Sequence, residues 1–343
     1  MSEPPASRPG LTRRDLLTAV GGAGTAGLAG CLDGGSAGAE ASGPVAVASF
    51  FTFYDFARRI AEDTPITVRN LVPTGLHGHG WEPDPSITRA IIDADAFIHV
   101  GPDFQPWADR AIETVKDDRA ETDLVNVREG VDLLPLADSL DEDEEAVDAG
   151  RDPHFWLDPR RAKQSVDNLV AGLEAVAPDH ADALAENGAD LRAELDAIDD
   201  EWRDLFDAAE RDVAFLAAHN AFQYVGDRYG ATVEPLVTNL AASNDVRPAD
   251  VRRARETIEA NDIRYIGAAV FEPRRPARQL LADTDVEAYY PVTPYAGTTE
   301  AWVERGWGYA EIARNINMET FRVVLGAAAP GETTLGEEWR NFE

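Results

Sequence analysis

From Val45 onward the apolar and polar positions follow two alternating periods. Val45-Ala46-Val47-Ala48-Ser49-Phe50 is a near-continuous apolar run of strand length, and Tyr54 to Glu62 follows with apolar residues at helical spacing. The cycle repeats: Ile66 to Val72 predicts a strand, Ser86 to Ala94 a helix, and Ala96 to Gly101 a third strand. Strands without a polar face, separated by amphipathic helices, belong to parallel sheets covered on both sides. The period then changes. Pro159 to Glu210 reads as helix almost throughout, interrupted near Pro178, with Leu191, Leu195 and Leu205 at helical spacings. Strand–helix alternation resumes with strands expected at Val213 to Ala217, Thr232 to Leu236, Arg264 to Val270 and Val286 to Tyr290. The expected fold is α/β, with two parallel-sheet lobes (44–158 and 211–343) joined by a linking helical segment (159–210). No internal repeat is visible in the sequence.

Residues 1–43 read as an address rather than as part of the fold. Arg13-Arg14 precedes a modestly apolar stretch from Leu16 to Leu28, the pattern of twin-arginine export. That stretch falls short of the ~20 residues needed to span a bilayer. It ends in Leu28-Ala29-Gly30-Cys31, which resembles a lipobox, and Cys31 is the only cysteine of the chain. A Gly/Ala-rich stretch can bury nothing, so lipid attachment at Cys31 is a better reading than a buried thiol. The expectation is a chain on the outer face of the cell membrane, held by lipid at Cys31 and a polar tether to Gly43. Gly22 to Gly27 and Gly34 to Gly38 match a dinucleotide fingerprint and a nucleophile elbow, but neither has the strand–turn–helix context that such chemistry needs.

Charge and composition narrow the function. The 343 residues include 63 acidic and 31 basic ones, a formal charge of −32, and only Lys116 and Lys163 among the basic residues are lysine. A strongly acidic chain with no basic stripe is not a nucleic-acid binder, because phosphate neutralisation needs clustered Lys and Arg. One cysteine excludes a disulfide framework, a four-cysteine zinc site and a cysteine-held iron–sulfur cluster. An acidic surface with Arg in place of Lys is what a protein of concentrated salt tends to carry, and the source is read as a halophile. Asp138 to Asp152 concentrates eight carboxylates in fifteen residues and is read as a solvated loop rather than a metal collector.

Three of the six histidines stand in unusual settings. His79 lies in His77-Gly78-His79-Gly80-Trp81-Glu82-Pro83, after a strand and before a helix. His154 lies in Asp152-Pro153-His154-Phe155-Trp156-Leu157-Asp158-Pro159, ahead of the long helix. His219 lies in His219-Asn220-Ala221-Phe222, at the end of the first strand of the second lobe. All three fall at or beyond the carboxyl ends of strands, where open parallel sheets bind ligands. Singly, each reads as a structural histidine rather than as a ligand.

Taken together these segments resemble the metal receptors among the solute-binding proteins of ABC transporters. The resemblance rests on His-x-x-Glu-Pro at His79 to Pro83, Asp-Pro-His-x-Trp-Leu-Asp-Pro at Asp152 to Pro159, and His-x-Ala-Phe at His219 to Phe222 with Tyr224 and Tyr229-Gly230 beyond. It covers about residues 44–325, in order. It implies two lobes linked by a long rigid helix, one metal ion in the cleft, and His79, His154 and His219 as its ligands. It also implies an extracytoplasmic monomer that captures Zn2+, less readily Mn2+, and delivers it to an ABC permease and its ATPase. Many members add a late Asp ligand; here the strand ends Ala288-Tyr289-Tyr290-Pro291, with Tyr290 at that position and Glu300 or water as other candidates for the fourth place. His77 is read as a surface residue or an auxiliary ligand, His99 as a satisfied core histidine, and His180 as a surface residue at a helix start. Two alternatives remain open on the sequence. Three histidines with an open fourth place also serve zinc hydrolases, for which Glu82 and Asp158 are the nearby bases, although no His-Glu-x-x-His helix occurs. A manganese receptor or adhesin of the same fold is the other.

Overall fold

The computed structural model describes residues 43–78, 81–136, 150–237, 246–336 and 338–343. The expected leader with Cys31, the ligand candidate His79 and most of the acidic stretch lie outside these residues.

The first sheet is built from β1 (Val45–Ala48), β2 (Thr67–Asn70), β3 (Ala96–His99) and β4 (Asp123–Asn126), connected by α1 (Phe51–Ile60), α2 (Pro85–Ile92) and α3 (Pro106–Asp118). The strands are all parallel, in the order β2-β1-β3-β4. Strand alternation decides which core each residue enters: Ala46 and Ala48 face the main core, while Val47 points to the other side, into a smaller cluster with Ile91, Phe97 and Trp107. α1 forms where the sequence offers Phe51, Phe53, Phe56, Ala57 and Ile60, all buried. It begins three positions earlier than the predicted helix, because Phe50 already turns out of β1 as the helix N-cap. The edge strand β4 is a four-residue piece with one buried residue, too short and too polar for a periodicity argument to find.

The predicted linking segment is two helices, α4 (Pro159–Val176) and α5 (Ala181–Asp207), turned back on each other through a 3-10 turn at Pro178–His180. His180, half-buried, is the N-cap residue of α5. α5 has 27 residues, hence a length of about 40 Å, and buries Leu184, Leu191, Leu195, Ile198, Trp202 and Leu205 along one stripe. Gly188 lets the two helices close: a Cβ there would sit 2.4 Å from a Val170 methyl carbon.

The second sheet repeats the plan with β5 (Val213–Ala217), β6 (Thr232–Pro235), β7 (Tyr265–Ala269) and β8 (Ala288–Val292), joined by α6 (Gln223–Tyr229), α7 (Pro248–Ala260) and α8 (Arg275–Asp283). Its order, β6-β5-β7-β8, is the same as in the first sheet, so the chain does repeat, in topology though not in sequence. Short helices α9 (Glu300–Glu304) and α10 (Tyr309–Ile312) lead through a π turn at Ala313–Asn317 into α11 (Met318–Val324). Asn317 of that turn binds the backbone of Thr293 twice, at 2.9 and 2.8 Å, and so ties the helix to the end of β8.

One hydrophobic core runs through both lobes, from Phe50, Phe53 and Trp156 across α5 to Trp302 and Phe321. Polar contacts cross the same boundary. Trp156 Nε1 donates to the Pro294 carbonyl at 2.7 Å, the Tyr309 hydroxyl to the Trp156 carbonyl at 2.8 Å, and Thr52 Oγ1 to the Tyr295 carbonyl at 2.9 Å. Each sheet has a switch point, between β1 and β3 and between β5 and β7, where the chain leaves in opposite directions. That is where such sheets take ligands.

Candidate metal centre

The segment Asp152 to Pro159 divides its work residue by residue. Pro153 and the short 3-10 turn Phe155–Leu157 present His154, 1% exposed, against Asp152, which is fully buried. Asp152 Oδ1 lies 2.9 Å from both the backbone N and the ring Nδ1 of His154. Trp156 fills the core between Phe50, Phe104 and the His154 ring. Asp158 caps α4, accepting from the Arg160 N–H at 2.9 Å, with Pro159 as first helical residue. The expectation that the acidic stretch is solvated therefore fails at its last member. Asp152 belongs to the buried site, and the loop ahead of it is closed by paired backbone: Leu136 N–H donates to Gly150 O at 3.0 Å and Asp152 N–H to Leu134 O at 2.9 Å. The carboxylates from Asp138 to Asp148 lie outside the described residues.

His219, also 1% exposed, leaves the end of β5 with Ala218, and its partner is a residue that no motif signalled. Glu272, just past β7, accepts from the His219 backbone N–H at 3.2 Å through Oε2 and lies 2.5 Å from Nδ1 through Oε1. Nδ1 of each imidazole is thereby committed to a carboxylate, one pair in each lobe, which directs coordination of an ion to the other ring nitrogen, Nε2. Nε2 of His219 is buried and makes no hydrogen bond among the described residues. The rings of His154 and His219 lie 5.4 Å apart, centre to centre. A carboxylate on Nδ1 fixes ring and tautomer and raises the basicity of the other nitrogen, so this donor set suits a divalent ion of borderline softness.

The electrostatics run the same way. Burial, then the neighbouring His219, holds His154 well below the ordinary histidine range and keeps its ring neutral. Burial pushes the Asp152 carboxyl up to about 7, against the opposing hydrogen bond from the His154 backbone. Burial also raises Glu272, but its contacts with the adjacent His219 ring and backbone outweigh it, and this carboxyl lies below its usual range.

The remaining motif residues are structural. Tyr224 donates its hydroxyl to the Asp152 carbonyl at 2.7 Å and accepts from the Leu134 N–H at 2.9 Å, so α6 clamps the strand pair that carries the His154 segment. The Tyr229 hydroxyl donates to Asp199 at 3.1 Å, and Gly230, with φ 77°, ends α6 in the left-handed conformation. Glu82 is exposed and paired with Arg110 at 2.7 Å.

The other expected positions divide as follows. His79 lies outside the described residues. Tyr290 sits within β8 with its ring 6.3 Å from that of Tyr265, whose hydroxyl bonds Glu287 at the opposite end of the strand. Glu300 is an exposed first-turn residue of α9. His99 is buried, and burial, then Arg128 and Lys116, brings it down to about 4. It is not satisfied as expected, since its Nδ1 makes no hydrogen bond among the described residues. His77 is half-buried, with its ring 5.4 Å from that of His219, so it is not simply a surface residue. Among the described residues no group of three or more His, Cys, Asp or Glu side chains is already gathered to hold an ion.

Comparison with known proteins agrees with this architecture. The family described as ZnuA, zinc-uptake complex component A, periplasmic, matches residues 46–322. The zinc-binding lipoprotein AdcA of Streptococcus pneumoniae serotype 4 is 27% identical over 242 residues, which are 69% of this chain and 46% of AdcA. The chain thus spans about half the length of AdcA. The high-affinity zinc uptake system protein ZnuA of Bacillus subtilis is 24% identical over 272 residues, 78% of this chain and 83% of that one. The manganese-binding lipoprotein MntA of Halalkalibacterium halodurans is 27% identical over 218 residues, 63% of this chain and 68% of that one. In fold, the Zn(II)-bound ZnuA-like domain of S. pneumoniae AdcA superposes with a TM-score of 0.69 at 22% identity, covering 82% of this chain and 99% of that domain. The metal-dependent lipoprotein YcdH of B. subtilis does so with a TM-score of 0.68 at 23% identity, covering 82% and 99%. With a family match that runs from β1 into α11, the chain belongs to the ZnuA family of zinc-uptake complex component A proteins.

Proposed function

We propose that this protein is the extracytoplasmic solute-binding component of an ABC importer, capturing zinc in the interlobe cleft and delivering it to a permease powered by an ATPase. The observation that carries this reading is the pair of carboxylate-held imidazoles, His154 with Asp152 and His219 with Glu272, which come from two lobes and lie 5.4 Å apart, centre to centre. His154, His219 and His79 are the protein ligands in this reading. Zinc is favoured over manganese because the donors are imidazoles, whereas manganese prefers oxygen and higher coordination. Binding rather than catalysis is favoured because the two acids nearest the motifs are occupied elsewhere: Asp158 caps α4 and Glu82 pairs with Arg110 at the surface. Twin-arginine export, lipid attachment at Cys31, a monomeric state and a salt-rich habitat complete the proposal and rest on sequence alone. So does the division into a leader and tether (1–43), a first lobe (44–158), a linking segment (159–210) and a second lobe (211–343).

Metal analysis of the purified chain, followed by zinc–manganese competition at matched free-ion levels in high salt, tests the reading. The expected result is one tightly held zinc per chain, lost in His154→Ala and in His219→Ala. Manganese winning the competition, or tight zinc binding that survives loss of His219, refutes it.

A further inference from the structure

The His219 ring has two imidazole neighbours at the same separation, His154 and His77, each 5.4 Å away centre to centre. Two imidazoles bound to one tetrahedral zinc through Zn–N bonds of about 2.0–2.1 Å have their ring centres about 5 Å apart. The His77 ring is therefore at ligand-sharing distance from His219, although it comes from the other lobe and from a loop position that the motifs do not include.

The loop is held in that position from both sides. Gly75 N–H donates to the Thr298 carbonyl at 2.8 Å and Gly78 N–H to the Ala296 carbonyl at 3.4 Å, so the backbone before and after His77 is strapped to the second lobe. Gln105 secures the same loop from the first lobe, donating through Nε2 to the Gly78 carbonyl at 3.0 Å. Gly297 makes the strap possible, because a Cβ there would lie 2.2 Å from the Leu76 carbonyl oxygen.

Most nearby oxygen donors are committed. Both Glu272 oxygens engage His219, Asp152 holds His154 through Oδ1 while its Oδ2 makes no hydrogen bond among the described residues, and Tyr290 packs toward Tyr265. We propose that His77 supplies a fourth imidazole to the bound ion, closing its coordination sphere from the solvent side in place of the carboxylate missing at position 290. The proposal rests on the metal-receptor reading above. His154 and His219 are each 1% exposed in the core, whereas His77 is half-buried at its edge.

The test uses the full chain as wild type, His77→Ala, His77→Asn and His154→Ala, with zinc competition titration and visible spectra of the Co(II)-loaded protein. Both His77 variants should bind zinc more weakly by about tenfold or more, since even outer-shell partners of a metal contribute that much. They should also shift the Co(II) bands as a nitrogen donor gives way to water, while the metal-free proteins melt like wild type. If His154→Ala abolishes binding but both His77 variants keep wild-type affinity and spectrum, His77 is no ligand and the proposal falls alone. If His154→Ala also binds normally, the site reading falls, and this proposal with it.

Discussion

At the scale of single residues, the proposed centre relies on carboxylates that do not themselves need to touch an ion. Glu272 fixes the His219 ring through Nδ1 and its backbone through the N–H, and Asp152 treats His154 in the same way. Replacing such a carboxylate by its amide keeps the shape but removes the charge that raises imidazole basicity. Glu272→Gln should weaken zinc binding roughly 10–100-fold while leaving the number of bound ions at one, read by competition titration. An unchanged affinity would mean that Glu272 serves folding alone.

At the scale of elements, the paired backbone on either side of the acidic stretch bears on the site. Leu134 and Leu136 pair with Asp152 and Gly150, and Tyr224 is bonded to both sides. Shortening residues 137–149 to a brief Gly/Ser turn should leave melting temperature and tight-site affinity near wild type, because loop-closure entropy changes slowly with length. A cut that extends through Asp152 should cost metal binding as well, and affinities of the two deletions measured side by side decide the point. α5 is the other element with a special task. Its Asp199, with a side chain 3% exposed, accepts from Arg160 of α4, Arg203 of α5, and Arg228 and Tyr229 of α6. The helix that joins the lobes thus carries a buried charge shared by helices on both sides. Burial would raise the Asp199 carboxyl, but the Arg228 bonds outweigh it and hold it below the usual carboxylate range.

The whole molecule is governed by its charge of −32. Exposed pairs such as Arg110–Glu82 and Arg192–Asp167 neutralise only part of it, and each contributes little, roughly 0–1 kcal/mol. Self-repulsion among the remaining carboxylates disfavours the compact state, and salt screens it, with a Debye length of ~10 Å at 0.1 M and ~3 Å at 1 M. The melting temperature should therefore rise as NaCl increases from about 0.1 to 1 M, a change that calorimetry would detect. A flat or falling curve would show that local ion pairing already compensates the charge.

Much of the architecture was readable from local pattern, because period, caps and strand length are properties of consecutive residues. The apolar run at Val213–Ala217 is β5, the break at Pro178 is the turn between α4 and α5, and Asp158-Pro159 starts a helix by capping it. The motifs likewise singled out His154 and His219, whose rings the fold places 5.4 Å apart, centre to centre. What local pattern left undecided depends on residues far apart in the chain. Glu272 is 53 positions from the His219 ring it orients, and no spacing rule links them. Asp152 looked like the end of a solvated acidic run until its burial made it the partner of His154. His77 looked like a surface residue because its neighbour, His219, belongs to the other lobe. Secondary structure is set by neighbours along the chain, whereas a metal centre is set by which loop ends two sheets bring face to face, and that arrangement exists only once both lobes have packed on α5.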